Sequence, residues 1–183
     1  IEAIRSFINE KVKAIVLAPV VEDGWDEVLK EAKSAGIPVI IVDRMIKTSD
    51  DSLYACWVGS NFKAEGLNAV EWLNEYIKSN GDYNKNNKVV ILRGTIGASA
   101  ETGRTEGIYE GLEKYTRYEI VGDISGNFTK DEGKQAMEEY LKINKDFDVL
   151  FSQNDDMTFG AIEALKDAGI KTGKDVVRIF FDG

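Results

Sequence analysis

Short apolar runs rich in β-branched residues alternate along the chain with longer segments whose apolar residues recur every three or four positions. The runs at 12–18, 37–42, 53–58, 88–92, 118–121, 148–152 and 176–181 read as strands. The segments at about 1–10, 26–35, 63–78, 105–115, 130–144 and 157–168 read as helices. Most of the strand runs are nearly continuous in apolar character, as expected when helices cover both faces of a sheet. Strand–helix alternation predicts an α/β fold with parallel, doubly wound sheets.

The polar punctuation fits that reading. Asp23 is placed to cap the helix carrying Trp25, Val28, Leu29 and Ala32, and Thr129-x-x-Glu132 has the form of a capping box. Gly36 and Gly169 follow their helices as C-terminal stops. "EAKSAGIPVIIVD" and "EALKDAGIKTGKDVVRIFFD" share the order helix, Ala-Gly-Ile, strand and terminal Asp, which two similar lobes would produce and chance would also allow. The stretch "KSNGDYNKNNK" (78–88) reads as a polar surface loop. The lobe boundary is expected near "VGSN", dividing the chain into 1–59 and 60–183.

The charge of -9 argues against a nucleic-acid surface, which needs concentrated basic residues. No apolar run approaches the length of a membrane span. The one cysteine, Cys56, cannot form an internal disulfide or a Cys-based metal site, and is expected to fill a strand as a small apolar residue. The absence of histidine removes the commonest general base and metal ligand. Without a nucleophile motif or a cofactor motif, the expectation is no enzyme, no metal and no cofactor. Trp25, Trp57 and Trp72 are expected in the core or in lobe packing. The chain starts without Met inside a helix and stops just past a strand, which reads as an internal piece of a longer protein.

In open parallel sheets, ligands sit beyond the carboxyl ends of the strands. The residues there are Asp43 and Arg44, then "RGTIGASAETGRT" with Arg104, then "GDISGNF" with Phe128, then Gln153, Asn154, Asp155 and Asp156, then Asp182. Carboxylates accept hydrogen bonds, arginine donates them in a rigid fork, and an amide does both. Sugar hydroxyls satisfy all three, and an aromatic ring can cover the C–H face of a sugar. Each residue also has a local reading. Asp43 and Arg44 could be a solvated pair, and Arg104 could bind Glu101 or Glu106. Phe128 could be a hydrophobic staple, Asp155 or Asp156 a helix cap, and Asp182 a turn residue. "GTIGAS" could cradle a phosphate but lacks both the Walker and the dinucleotide patterns. Asn127-Phe128-Thr129 matches a glycosylation acceptor.

Taken together, "IPVIIVDR", "LRGTIGASAETGRTEGI", "GNFTKDEGKQAMEEYL", "FSQNDDMTFGAIEALKDAGI" and "FFDG" resemble the type I periplasmic sugar-binding proteins of bacterial ABC importers. "LAPVVEDGWDEVLKEAKSAGIPV" is most similar to the galactofuranose-binding branch. The resemblance implies two Rossmann-like lobes, here truncated, closing on one monosaccharide in an interlobe cleft. It implies sugar contacts from Asp43, Arg44, Arg104, Phe128, Asn154 and Asp182. The family's first strand and its segment returning through the hinge have no counterpart in the sequence. The implied protein is a monomeric extracytoplasmic receptor, made with a signal peptide and tied to the membrane only through a permease or lipid anchor. The alternative is the effector domain of a LacI-type regulator, which shares the fold.

Overall fold

The computed structural model describes residues 1–81 and 85–182. The chain divides into two compact units, Ile1–Asn61 with Gly97–Ala100, and Phe62–Ile96 with Glu101–Gly183.

The first unit contains α1 (Glu2–Asn9), β1 (Ile15–Leu17), α2 (Asp26–Ser34), β2 (Val39–Val42), a 3-10 turn at Asp51–Leu53 and β3 (Cys56–Val58). The strands form a parallel sheet in the order β1-β2-β3. Alternation along each strand sends Ile15, Val39 and Ile41 into a core with Ile4 of α1 and Val28, Leu29 and Ala32 of α2. The register puts Val16, Ile40 and Cys56 on the opposite face, where Val16 and Val58 are both 65% exposed. Cys56 does fill a strand position, the first of β3, and is exposed there. Its strand is apolar, yet all three of its residues are exposed, and the core of this unit is built on β1 and β2.

Asp23 and two of the tryptophans also bear on the expectations. Asp23 does not cap α2. Trp25 occupies the N-cap without a side-chain bond, and Gly24, at φ +93°, turns the chain between Asp23 and the helix. Of the two places expected for Trp57 and Trp72, core or lobe packing, the core is excluded by their exposure. Trp72 is half exposed and stacks on Tyr76 with ring centres 5.1 Å apart, and Trp57 lies at the surface near the end of β3.

The second unit contains α3 (Phe62–Asn80), β4 (Asn87–Arg93), α4 (Ser99–Glu113) from Glu101 onward, β5 (Tyr118–Ser125), α5 (Lys130–Ile143), β6 (Val149–Ser152), α6 (Asp155–Asp167) and β7 (Val177–Phe180). Its sheet is parallel throughout, in the order β5-β4-β6-β7. Val89, Ile91, Val149 and Phe151 face Val70, Leu73, Ile77, Ile108 and Leu112 of α3 and α4. Val90, Leu92 and Leu150 face Met137, Leu141, Met157, Ala161 and Leu165 of α5 and α6. Both faces are thus covered, and the continuous apolar runs of β4 and β6 are the consequence. Within the polar stretch 78–88, α3 runs to Asn80 and β4 starts at Asn87, while residues 82–84 lie outside the described residues.

Two elements run further than expected. Helix α4 begins at Ser99, not near 105, because its first turn is buried and built of small residues that carry no amphipathic signal. Strand β5 continues through Gly122 to Ser125, with a bulge in its pairing to β4. Tyr140 lies against Gly122, where a Cβ would come within 2.6 Å of the ring. A glycine in a strand marks such a close approach, not a stop.

Candidate functional site

The second unit's chain runs from β4 to β5 on one side of the sheet, then returns to β6 on the other side of β4. The connections leaving β4 and β6 pass to opposite faces. The crevice beyond their carboxyl ends is thus a topological switch point, the place where open α/β sheets bind ligands.

Glycines bring the flanking helices there. A Cβ on Gly107 of α4 would lie 2.2 Å from the Lys63 carbonyl oxygen, and one on Gly66 of α3 would lie 2.4 Å from that of Arg104. The two helices touch backbone to backbone, which carries Arg104 to Glu65. On the other face, a Cβ on Gly160 of α6 would lie 2.1 Å from the Lys130 carbonyl of α5.

Arg104 is 5% exposed and held on three sides. Its Nε donates to Glu65 Oε2 at 2.8 Å, its Nη2 donates to Asp182 Oδ1 at 2.7 Å, and its Nη1 donates to the Gln153 carbonyl. The guanidinium carbon lies 5.2 Å from the Phe62 ring centre and 4.9 Å from that of Phe181. Two carboxylates and two aromatic faces compensate the loss of water around the buried cation. Three of its five N–H groups are used by these bonds, leaving donors for a further acceptor. Arg104 takes neither Glu101 nor Glu106, the local partners its sequence neighbourhood offered.

Phe128 has φ +60° and Asn127 φ +51°. The left-handed conformation costs an ordinary residue roughly 1–2 kcal/mol and is retained where the surroundings impose it. Here the turn sets the Phe128 ring on Gly94, where a Cβ would fall 2.0 Å from the ring. Asn154 caps α6 by accepting the Met157 N–H at 3.0 Å, and its amide donates to the Phe128 carbonyl at 3.2 Å. The cap is therefore Asn154, and Asp155 and Asp156 lie in the first turn of α6. Thr129 accepts the Glu132 N–H at 3.3 Å, but the Glu132 carboxylate receives the Asn127 amide, so the capping box is made in one direction only.

Behind these residues lies a buried polar chain. Gln153, with 0% exposure, accepts the Gly94 N–H at 2.9 Å and donates to Thr105 Oγ1 at 2.8 Å and to the Glu101 carbonyl at 3.3 Å. Thr105 donates to the Glu101 carboxylate, which also receives the Arg93 Nε at 2.7 Å. Arg93 continues to Asp123, which accepts the Tyr109 hydroxyl at 2.6 Å. Burial works against the Arg93 charge, but Glu101 and Asp123 outweigh it and hold its pKa above the ordinary value. Burial first, and the bond to Asp123 second, push the Tyr109 hydroxyl up to about 12.

In the first unit, Asp43 ends β2 at φ +62° with its carboxylate largely exposed. Its N–H donates to the Val58 carbonyl, and its own carbonyl accepts the Trp57 Nε1–H at 3.1 Å. Arg44 donates to the Val20 carbonyl at 3.0 Å and approaches the Asp43 carboxylate only to 3.9 Å. The pair is loose, and Asp43 is held through its backbone.

Of the six residues singled out from the sequence, Arg104 and Asp182 are directly bonded, and Asn154 and Phe128 are directly bonded. Gln153 joins these two pairs. Asp43 and Arg44 form their own cluster in the other unit. Glu65, Phe62 and Phe181 were not singled out, Gln153 was placed beyond its strand but not counted as a sugar contact, and Trp57 was expected in the core or in lobe packing. Gln153 stands beside Asn154 in "QND" and carried a signal, whereas Glu65 and Phe62 look like ordinary helix residues.

The chain matches the family model described as Periplasmic binding protein domain over residues 1–183. It is 42% identical to the galactofuranose-binding protein YtfQ of Escherichia coli (strain K12), with 100% of this chain aligned to 57% of that protein. It resembles the periplasmic binding protein component of the arabinose ABC transporter from Shewanella sp. ANA-3, bound to α- and β-L-arabinofuranose. There the TM-score is 0.92 and the identity 42%, over 100% of this chain and 59% of that one. A Mycobacterium smegmatis structure in complex with β-D-fucofuranose gives a TM-score of 0.92 and 42% identity, over 98% of this chain and 58% of that one. The chain thus spans less than two thirds of the length of these relatives.

Proposed function

The chain belongs to the periplasmic binding protein domain family, and from that premise we propose that the protein is an extracytoplasmic, non-enzymatic receptor delivering a monosaccharide to the permease of an ABC importer. The sugar is taken in its furanose form. We propose as its contacts Asp43, Arg44, Arg104, Phe128, Asn154 and Asp182.

The observation that carries the reading is Arg104: a buried, fully oriented guanidinium at the switch point, flanked by two carboxylates and two aromatic rings. Glu65 and Asp182 already balance its charge, so the group favours a neutral acceptor such as a hydroxyl or ring oxygen over an anion. Phe128, seated on Gly94, supplies an apolar face for a sugar's C–H side. The furanose form is supported by the galactofuranose, arabinofuranose and fucofuranose that the similar proteins bind. The receptor reading is supported by Arg104, Glu65 and Asp182, whose charges are tied to one another in ion pairs.

Calorimetry against L-arabinose, D-fucose and D-galactose equilibrated with their furanose forms, and against galactofuranosides, tests this. One of these sugars is expected to bind with 1:1 stoichiometry. Arg104→Ala and Asp43→Ala should each weaken that binding by about a hundredfold, the scale of a lost charge-assisted hydrogen bond. Unaltered affinity in both variants would refute the site, and no binding across the panel would refute the function.

A further inference from the structure

We propose that Gln153 is the positioning residue of this site, a buried amide that locks together the Gly94 seat of the Phe128 ring, the part of α4 that carries Arg104 and the end of β6 that leads into Asn154, without touching the ligand itself. The proposal rests on the sugar-site reading above for its ligand, though not for its geometry.

Gln153 is the one polar residue among the largest fully buried side chains of the described residues. A buried primary amide is costly unless its donors and acceptor are met. Here each partner belongs to a different part of the site. Its Oε1 accepts the N–H of Gly94, the residue under the Phe128 ring. Its Nε2 donates to Thr105 and to the Glu101 carbonyl, both on α4 beside Arg104. Its carbonyl accepts Arg104 Nη1, and its N–H donates to the Leu92 carbonyl of β4. Asn154 follows directly in the chain. Both amide hydrogens and the amide oxygen are thus spent inside the protein, which separates this role from ligand contact.

The Thr105–Glu101–Arg93 chain makes the orientation of Gln153 specific. Thr105 gives its hydrogen to the Glu101 carboxylate, so its oxygen is left to accept from an amide N–H. A carboxylate at position 153 could not donate there and would face a second carboxylate through the same hydroxyl. A methionine of similar length would leave the Gly94 N–H and the Thr105 oxygen without partners.

The test uses the Arg104 Nε–Hε resonance of the ligand-free protein, assigned by its loss in Arg104→Lys, together with titration of the sugar that binds the wild type. In Gln153→Met and Gln153→Glu, far-UV circular dichroism should be unchanged while the Arg104 signal shifts or broadens. Affinity should fall about tenfold or more. Gln153→His, which retains one donor and one acceptor, should restore part of both. If Gln153→Met does not fold, Thr105→Val removes one anchor alone, and the same shift of the Arg104 signal is expected. An unmoved Arg104 signal with affinity within about twofold of wild type, in a folded variant, would overturn the proposal. If the wild type binds no sugar of the panel, the functional reading fails, and the Arg104 signal still decides the positioning role.

Discussion

At the scale of single residues, Asn154 separates two jobs that one side chain performs. Its oxygen caps α6 and its amide donates to the Phe128 carbonyl. Asn154→Ala loses both and should destabilise the protein by about 1 kcal/mol in urea unfolding, the usual worth of an N-cap. Asn154→Asp keeps the cap but loses the donor, so stability should hold to within about 0.5 kcal/mol. If Asn154 also contacts the sugar, both variants weaken binding while only the first lowers the unfolding midpoint. The residue types of the site were legible before its pairings were. Arg104 and Asp182 stand out because charges follow apolar strands, but Glu65, the partner of Arg104, sits on a polar helix surface where glutamate is ordinary. Nothing local distinguishes a glutamate that pairs across a helix seam from one facing water.

At the scale of elements, the helix pairs α3–α4 and α5–α6 meet through glycine. In an exposed helix, Gly→Ala gains about 1 kcal/mol. At Gly107 and Gly160 the added Cβ would sit 2.2 Å and 2.1 Å from a carbonyl oxygen of the facing helix. Each substitution should therefore destabilise, by roughly 2–3 kcal/mol, because backbone must move. Gly107→Ala should also disturb Arg104, so its sugar affinity falls, whereas Gly160→Ala lies away from Arg104 and should act more on Phe128 and Asn154. Thermal unfolding with and without the ligand distinguishes them. The same elements show what the hydrophobic pattern reveals. Strands β4 and β6, buried on both faces, were legible almost to the residue. The start of α4 was not, since Ala98, Ser99 and Ala100 are buried through close approach and not through an apolar stripe. The repeated "AGI" was legible: Ile37 and Ile170 each donate back to the carbonyl of the residue five earlier, and Gly36 and Gly169 both adopt positive φ.

At the scale of the whole molecule, surface pairs set the pH response. Hydrogen bonds from Arg5, Lys78, Lys63, Lys88 and Lys130 hold the carboxyls of Glu31, Glu75, Glu110, Asp146 and Glu163 below their ordinary values. A carboxyl lowered by folding binds more protons when unfolded, so its contribution is present above the ordinary carboxylate range. It is lost as the pH falls through the lowered value. The urea midpoint should therefore decline below about pH 4. Tyr109 acts at the other end with the opposite sign. Its hydroxyl is raised to about 12 from an ordinary 10.0, so its contribution is complete below pH 10 and is lost as the pH rises toward 12. Tyr109→Phe should make the alkaline limb shallower without abolishing it, because burial raises the Tyr54 and Tyr140 hydroxyls as well, and should leave the acid limb as it was.

The open face of the three-stranded sheet has a practical consequence. Cys56 supplies the sole sulfhydryl of the sequence and sits where reagents can reach it. One equivalent of a maleimide dye should attach there under native conditions, as intact-mass spectrometry would register. The chain therefore carries a ready attachment point for an optical reporter, next door in sequence to Trp57, whose indole clasps the backbone of Asp43.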